Sequence, residues 1–191
     1  MNPVERGFRH VRIKPTGGVM VKDRRNPRVA NLDELEARKT GAGTKFGATM
    51  RLLGFATGAK GIGCTCYEVA PGKAAFPRHF HCVNEESLFV LDGEGTLRIG
   101  DENVALRAGD YVTMPIGPDY AHQLRNTGSG TLRYLCFSTL STADVVGYPD
   151  SKKVGAMAAP SMEAALKGQH WVRVLTFEPS QVGYYDGEDV D

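Results

Sequence analysis

Three of the five histidines in the chain fall in two short stretches whose spacing could do metal chemistry. In PRHFHCVNEESLFVLDG, His79 and His81 lie two residues apart, so on a strand both imidazoles leave the same face. Glu86 follows the turn-forming CVNE and opens the next β-prone run, which is expected to set its carboxylate across a hairpin from the pair. In GDYVTMPIGPDYAHQLRN, Gly109 and Asp110 turn the chain, Pro115 and Gly117 punctuate a loop, and His122 opens a further run. Convergence of His79, His81, Glu86 and His122 would offer imidazole nitrogens and one carboxylate to a single ion. That donor set suits a first-row divalent metal such as Mn, Fe, Ni or Zn, and the lack of a thiolate argues against a closed structural zinc site. Such a set leaves one or two positions open for water, dioxygen or a chelating small molecule.

A lone histidine on a strand is more often a packed or surface residue, so it is the joint placement of the four that points to a metal. A barrel needing only a core would gain nothing from burying them without a cation. His10 and His170 lie outside the two stretches and are read as structural or surface residues. Alternation places Leu88 and Val90 inward with Glu86, and Leu124 inward with His122, so the ion would sit on an apolar floor typical of a small-molecule site. Tyr67, Tyr111 and Gln123 are read either as polar contacts or as packing, and stay outside the ligand set. Glu85 should face the other way, exposed or paired with a cation such as Arg78.

Short β-prone runs must carry these residues: RLLGFAT, GCTCYEVA, SLFVL, TLRI, YVTM and TLRYLCFSTL, separated by turns rich in Gly, Pro, Asp or Asn. Their near-regular spacing predicts an antiparallel sandwich or barrel. The turns at Asp92–Gly95 and Gly100–Asn103 read as two hairpins of a meander. Residues 1–45 are expected to form an N-terminal arm with one short helix in NLDELEARK, capped by Asn31 and Glu34. Residues 46–145 read as the barrel. Residues 146–191 read as a C-terminal extension: TADVVGYPDSKKVGAMAAP leads in as an ordered loop, SMEAALKG gives a helical turn or two, HWVRVLTFE makes a final strand, and an acidic tail ends the chain.

With 191 residues, 41% hydrophobic and 24% charged, the composition fits one soluble globular domain with tails and excludes a fibrous repeat. No apolar run is long enough to span a bilayer, and the charged start does not suit a secretory leader, so no membrane partner and a cytoplasmic location are expected. The net charge of +1 conceals a basic N-terminus, from Arg6 to Arg28, and an acidic C-terminus. No nucleic-acid-binding motif accompanies the basic run, and no nucleic-acid partner is expected. Cys64, Cys66, Cys82 and Cys136 are expected to be reduced and to act as small buried hydrophobes, because the Cys64–Cys66 spacing is not that of a CxxC site.

The two stretches resemble the paired motifs of the cupin superfamily. In the first, Gly72 is followed by His79, His81, Glu86 and Gly93; in the second, Gly109 is followed by Pro115, Gly117, His122 and Asn126. The chain departs from that pattern by one extra residue before His79 and by two between Gly117 and His122, with Pro118 to Tyr120 their expected place. The resemblance spans residues 72–126 in its motifs and about 50–140 with the flanking strands. It implies an all-β fold, a double-stranded β-helix or jelly-roll barrel, with metal-ligand roles for His79, His81, Glu86 and His122. It also implies a homodimer, in which the basic arm is expected to cross onto the partner. The run DVVGYPDSKKVG and the ending YYDGEDVD resemble segments of bacterial single-domain cupins without an assigned activity. Two functions stay open: a metal-dependent enzyme of dioxygenase, isomerase or lyase type acting on a small polar or carboxylated molecule, and a non-catalytic small-molecule binding or sensor barrel.

Overall fold

The computed structural model describes residues 26–177 together with Gly183, Tyr184 and Asp186. The basic run from Arg6 to Arg25, His10 and most of the acidic tail lie outside the described residues, and so does the expected crossing of that arm onto a partner. Thirteen strands follow in order: β1 (Arg38–Ala42), β2 (Phe46–Arg51), β3 (Ile62–Val69), β4 (Phe80–His81), β5 (Glu86–Asp92), β6 (Glu94–Ile99), β7 (Glu102–Arg107), β8 (Tyr111–Met114), β9 (His122–Arg125), β10 (Leu132–Thr139), β11 (Ala143–Tyr148), β12 (Lys153–Ala158) and β13 (Val172–Phe177). Two short helices, α1 (Leu53–Ala56) and α2 (Met162–Leu166), interrupt them.

One sheet runs β1-β2-β3-β10-β5-β8, a second β7-β6-β9 and a third β13-β12-β11-β4. His79 and His122 exchange both backbone hydrogen bonds, at 3.1 and 2.8 Å, and this single bridge joins the second and third sheets edge to edge. The result is two antiparallel layers, the jelly-roll arrangement of an all-β cupin fold. The core lies between them: Val69, Leu88, Val90, Met114, Leu132 and Tyr134 from one layer meet Leu97, Leu106 and Leu124 from the other. Leu88, Val90 and Leu124 point inward, as strand alternation requires.

The turn at Asp92–Gly95 does not close a hairpin. β5 pairs with β8 and β10 while β6 pairs with β7 and β9, so the turn carries the chain from one layer to the other. Gly93 makes the crossing with φ 80°, at a point where a Cβ would lie 2.6 Å from the carbonyl of Thr131. Of the two expected turns, the one after Ile99 does close a hairpin, between β6 and β7.

Other local expectations are overridden by pairing. In NLDELEARK, Asn31 caps a single 3-10 turn over Leu32–Glu34 by accepting from the amide of Asp33, and the chain then extends into β1 to pair with β2. RLLGFAT is a strand only to Arg51. Beyond it α1 turns the chain back toward β3, with Gly54 so close that a Cβ would stand 2.8 Å from the amide nitrogen of Cys64. The Arg28 guanidinium donates to the carbonyls of Thr57 and Gly58 at 3.2 Å each and so closes the C-terminal end of α1. The segment after Ser141, expected as a loop, is the hairpin of β11 and β12. α2 forms as expected, with the Ser161 hydroxyl accepting from the amide of Ala164 and Gly168 at φ 79° ending it. The final strand is β13. No helix among the described residues is long and apolar enough to cross a membrane.

Candidate metal centre

His79 and His122 face each other across the bridge between β4 and β9, with ring centroids 4.7 Å apart. His81, two residues on, projects from the same face of β4, its ring centroid 5.2 Å from that of His79. Glu86 is not across a hairpin from this pair, because β4 and β5 do not pair; it opens β5 in the opposite layer and reaches over the barrel interior. Its Oε2 lies 3.3 Å from Nε2 of His122 and 3.7 Å from Nε2 of His81. One donor atom each from His79, His81 and Glu86 lies within 4.8 Å of the others. Donors bound at about 2.1 Å to one ion stand roughly 3 to 4 Å apart, so small side-chain adjustments suffice to close on a first-row cation. The structure therefore groups His79, His81 and Glu86, and sets His122 beside them through its 3.3 Å approach to Glu86.

The hydrogen bonds behind the rings fix what they present to the cavity. Nδ1 of His79 donates to the carbonyl of Pro77 at 2.8 Å, and Nδ1 of His122 to the carbonyl of Tyr120 at 3.0 Å. Nδ1 of His81 donates to Oδ2 of Asp144 at 2.6 Å. Carbonyl and carboxylate oxygens only accept, so the Nδ1 atoms carry the hydrogens. In the neutral ring, Nε2 is then a lone pair. Burial, and next the neighbouring His122, hold the His79 imidazole down from 6.5 to about 4, which keeps that ring neutral near pH 7. Burial raises the Glu86 carboxyl, but the adjoining imidazoles, His122 first among them, outweigh it and leave its pKa lowered. Lone pairs and a carboxylate thus converge with no hydrogen between them, and the donor set fits a divalent cation.

Asp144, on β11, is the functional residue that the sequence reading missed. It is 5% exposed, and besides His81 it accepts from the amide of Val83 at 3.1 Å and from the Asn84 side chain at 2.9 Å. The Asn84 amide oxygen in turn accepts from the amide of Ser141 at 2.8 Å, which ties the turn before β5 to the start of the hairpin. The signal available in the sequence was an acid inside the alternating run ADVVGY.

A cavity of about 220 Å³ opens beside the four residues, lined also by Tyr67, Phe76, Leu88, Leu124 and Gln123. Tyr67 and Gln123 therefore stand at the site, whereas Tyr111 is 61% exposed on the surface. Gln123 donates to the carbonyl of Phe76 at 2.8 Å. Cys136 lines the cavity with its sulfur 4.0 Å from Oε1 of Glu86, and burial followed by that charge pushes its thiol well up. All four cysteines are free; Cys66 is buried, but Cys82 is exposed and does not act as a core hydrophobe. Glu85 is exposed as expected, while Arg78 pairs with Asp150. The extra residues before His122 form a 3-10 turn, Pro118–Tyr120, whose last carbonyl anchors the His122 ring.

Comparison with known proteins bears on the fold around these residues. The family model for the cupin domain matches residues 66–138. Polyketide synthase CurC of Streptomyces cyaneus is 26% identical over 163 residues, covering 84% of this chain and 97% of that protein. Quercetin 2,3-dioxygenase of Bacillus subtilis is 32% identical over 60 residues, 31% of this chain and 18% of that protein. Among solved structures, a sugar phosphate isomerase of the cupin superfamily from Silicibacter pomeroyi superposes with a TM-score of 0.66 at 20% identity, over 84% of this chain and 95% of that one, a likeness of fold. The matched stretch contains His79, His81, Glu86 and His122 and lies within the jelly-roll, so residues 66–138 carry a cupin domain.

Proposed function

We propose that the chain is a metal-dependent cupin enzyme in which His79, His81, Glu86 and His122 hold one divalent ion, Mn, Fe, Ni or Zn, next to a small-molecule cavity. The single observation that carries this reading is the set of anchored Nδ1 atoms, which turns the imidazoles' Nε2 lone pairs toward the same space as the Glu86 carboxylate. A bound ion supplies Lewis acidity toward a ligand oxygen. The chain supplies the rest. The apolar lining excludes water and strengthens electrostatic interactions at the site. Glu86 is the one carboxylate lining the cavity, so proton exchange with a bound molecule falls to it. Asp144 and the carbonyls of Pro77 and Tyr120 hold the rings in register. The full-length similarity to a protein named a polyketide synthase favours turnover over simple binding.

The test is conversion. Chelator-treated protein is reloaded separately with Fe(II), Mn(II), Ni(II) or Zn(II) and incubated with small oxygenated molecules, under air and under nitrogen. Product detected by mass spectrometry, dependent on the metal and on Glu86, is expected. Molecules that bind the loaded protein and are recovered unchanged in every arm would make it a binding or sensor barrel.

The homodimer belongs to the same proposal. Among the described residues β13 ends its sheet with an unpaired edge, and Trp171 and Phe177 at its two ends are 73% and 71% exposed. A second copy paired along that edge would satisfy the open backbone groups and cover the apolar side chains.

A further inference from the structure

The cavity beside the metal donors is lined by aromatic and aliphatic side chains and has no cation of its own. From Tyr134 the rings run through Tyr67 and Phe76 to His79, with successive centroids 5.3, 5.4 and 6.3 Å apart, so an aromatic surface leads up to the donors. Leu88, Leu97, Met114 and Leu124 fill in the rest of the lining. Among the described residues that line the space there is no Lys or Arg, and Glu86 is the one carboxylate. Burial pushes the phenols of Tyr67 and Tyr134 up, so they add no charge near neutral pH. Arg78, next in sequence to a lining residue, is committed elsewhere: it donates to the carbonyl of Gly100 at 2.7 Å and that of Ala121 at 3.4 Å, and pairs with Asp150 at 3.3 Å. A phosphate, or an acid group remote from the metal, would lose its water here and find no partner.

Size narrows the class further. An apolar cavity of about 150 Å³ takes up benzene, so about 220 Å³ admits one ring or two fused rings and little more.

We infer that the site takes a mono- or bicyclic aromatic molecule whose only polar end is a pair of neighbouring oxygens, with the rings against Tyr67 and Phe76 and the oxygens toward His79, His81, Glu86 and His122. This inference rests on the metal reading above and names the substrate class of that same site.

The full chain loaded with cobalt(II), whose visible bands respond to ligands, separates the two claims. It is titrated with 2,3-dihydroxynaphthalene, with the sulfonated analogue that keeps the same chelating end, and with oxalate. The uncharged diol is expected to bind at least about tenfold more tightly than either comparator. Phe76→Ala, on a partly exposed side chain, should weaken the diol by about tenfold while leaving cobalt uptake and oxalate binding unchanged. Cobalt bound, but the sulfonate or oxalate held as tightly as the diol, overturns this inference and leaves the metal reading standing. Folded protein that takes up no cobalt overturns both.

Discussion

Asp144 acts on the centre through His81. Its carboxylate fixes the ring by a 2.6 Å bond, which sets the tautomer and the orientation of the ring. Asp144→Asn should therefore weaken metal binding by about 10- to 100-fold, measured by competition with a chromophoric chelator. An unchanged affinity would reduce Asp144 to a structural role. His79 gives a pH signature in the metal-free protein. Its folded pKa is depressed from 6.5 to about 4, so the unfolded chain takes up the proton first. The stability linked to that ring is full above about pH 6.5 and is lost as the pH falls through about 4, a change on the order of 3 kcal/mol. Thermal melts of chelator-treated protein across this window should show the loss, and His79→Leu should flatten it. The clustering of His79, His81 and Glu86 was legible because spacing on strands and a carboxylate opening the next run are local features. Asp144 was not, because it meets His81 across 63 residues of chain.

Between elements, the short strand β4 is what aims the first two histidines. It is held on one side by β11 and on the other by the bridge to β9. Gly147 of β11 stands opposite Phe80, the residue between His79 and His81, and a Cβ there would overlap the Cε1–Cζ edge of the Phe80 ring. Gly147→Ala should therefore push β4 off β11, destabilise the fold by about 1–3 kcal/mol and weaken metal binding; Phe80→Leu in the same chain should recover much of both. Melting curves and chelator competition on the single and double variants check this. The β-prone runs, α2 and the final strand were readable from periodicity and capping. The partners of the strands were not: Asp92–Gly95 looks like a hairpin turn whichever layer receives the next strand, and the β11–β12 hairpin lacks a two-residue turn signal. In RLLGFAT and NLDELEARK, local propensity yielded to packing on β3 and pairing with β2.

For the whole molecule, the two layers explain why residues from distant stretches share one cavity, and the open edge of β13 bears on assembly. Sedimentation should show a dimer, and Trp171→Glu with Phe177→Glu should shift it toward monomer without lowering metal content, since both side chains are largely exposed in the single chain. A jelly-roll was legible from the number and spacing of strands and from the paired motifs; that a hairpin after Ser141 would complete the layer carrying His79 and His81 was not, because Asp144 gains its meaning only beside β4. The central claim is a single cation held between the layers by His79, His81, Glu86 and His122. Elemental analysis of purified, folded protein tests it most directly, with the wild type set beside His79→Ala, Glu86→Gln and His170→Ala. About one equivalent of a first-row divalent metal in the wild type and in His170→Ala, and close to none in the other two, is the expected result. Metal absent from all four proteins even after reloading, or bound equally by all four, would contradict the account.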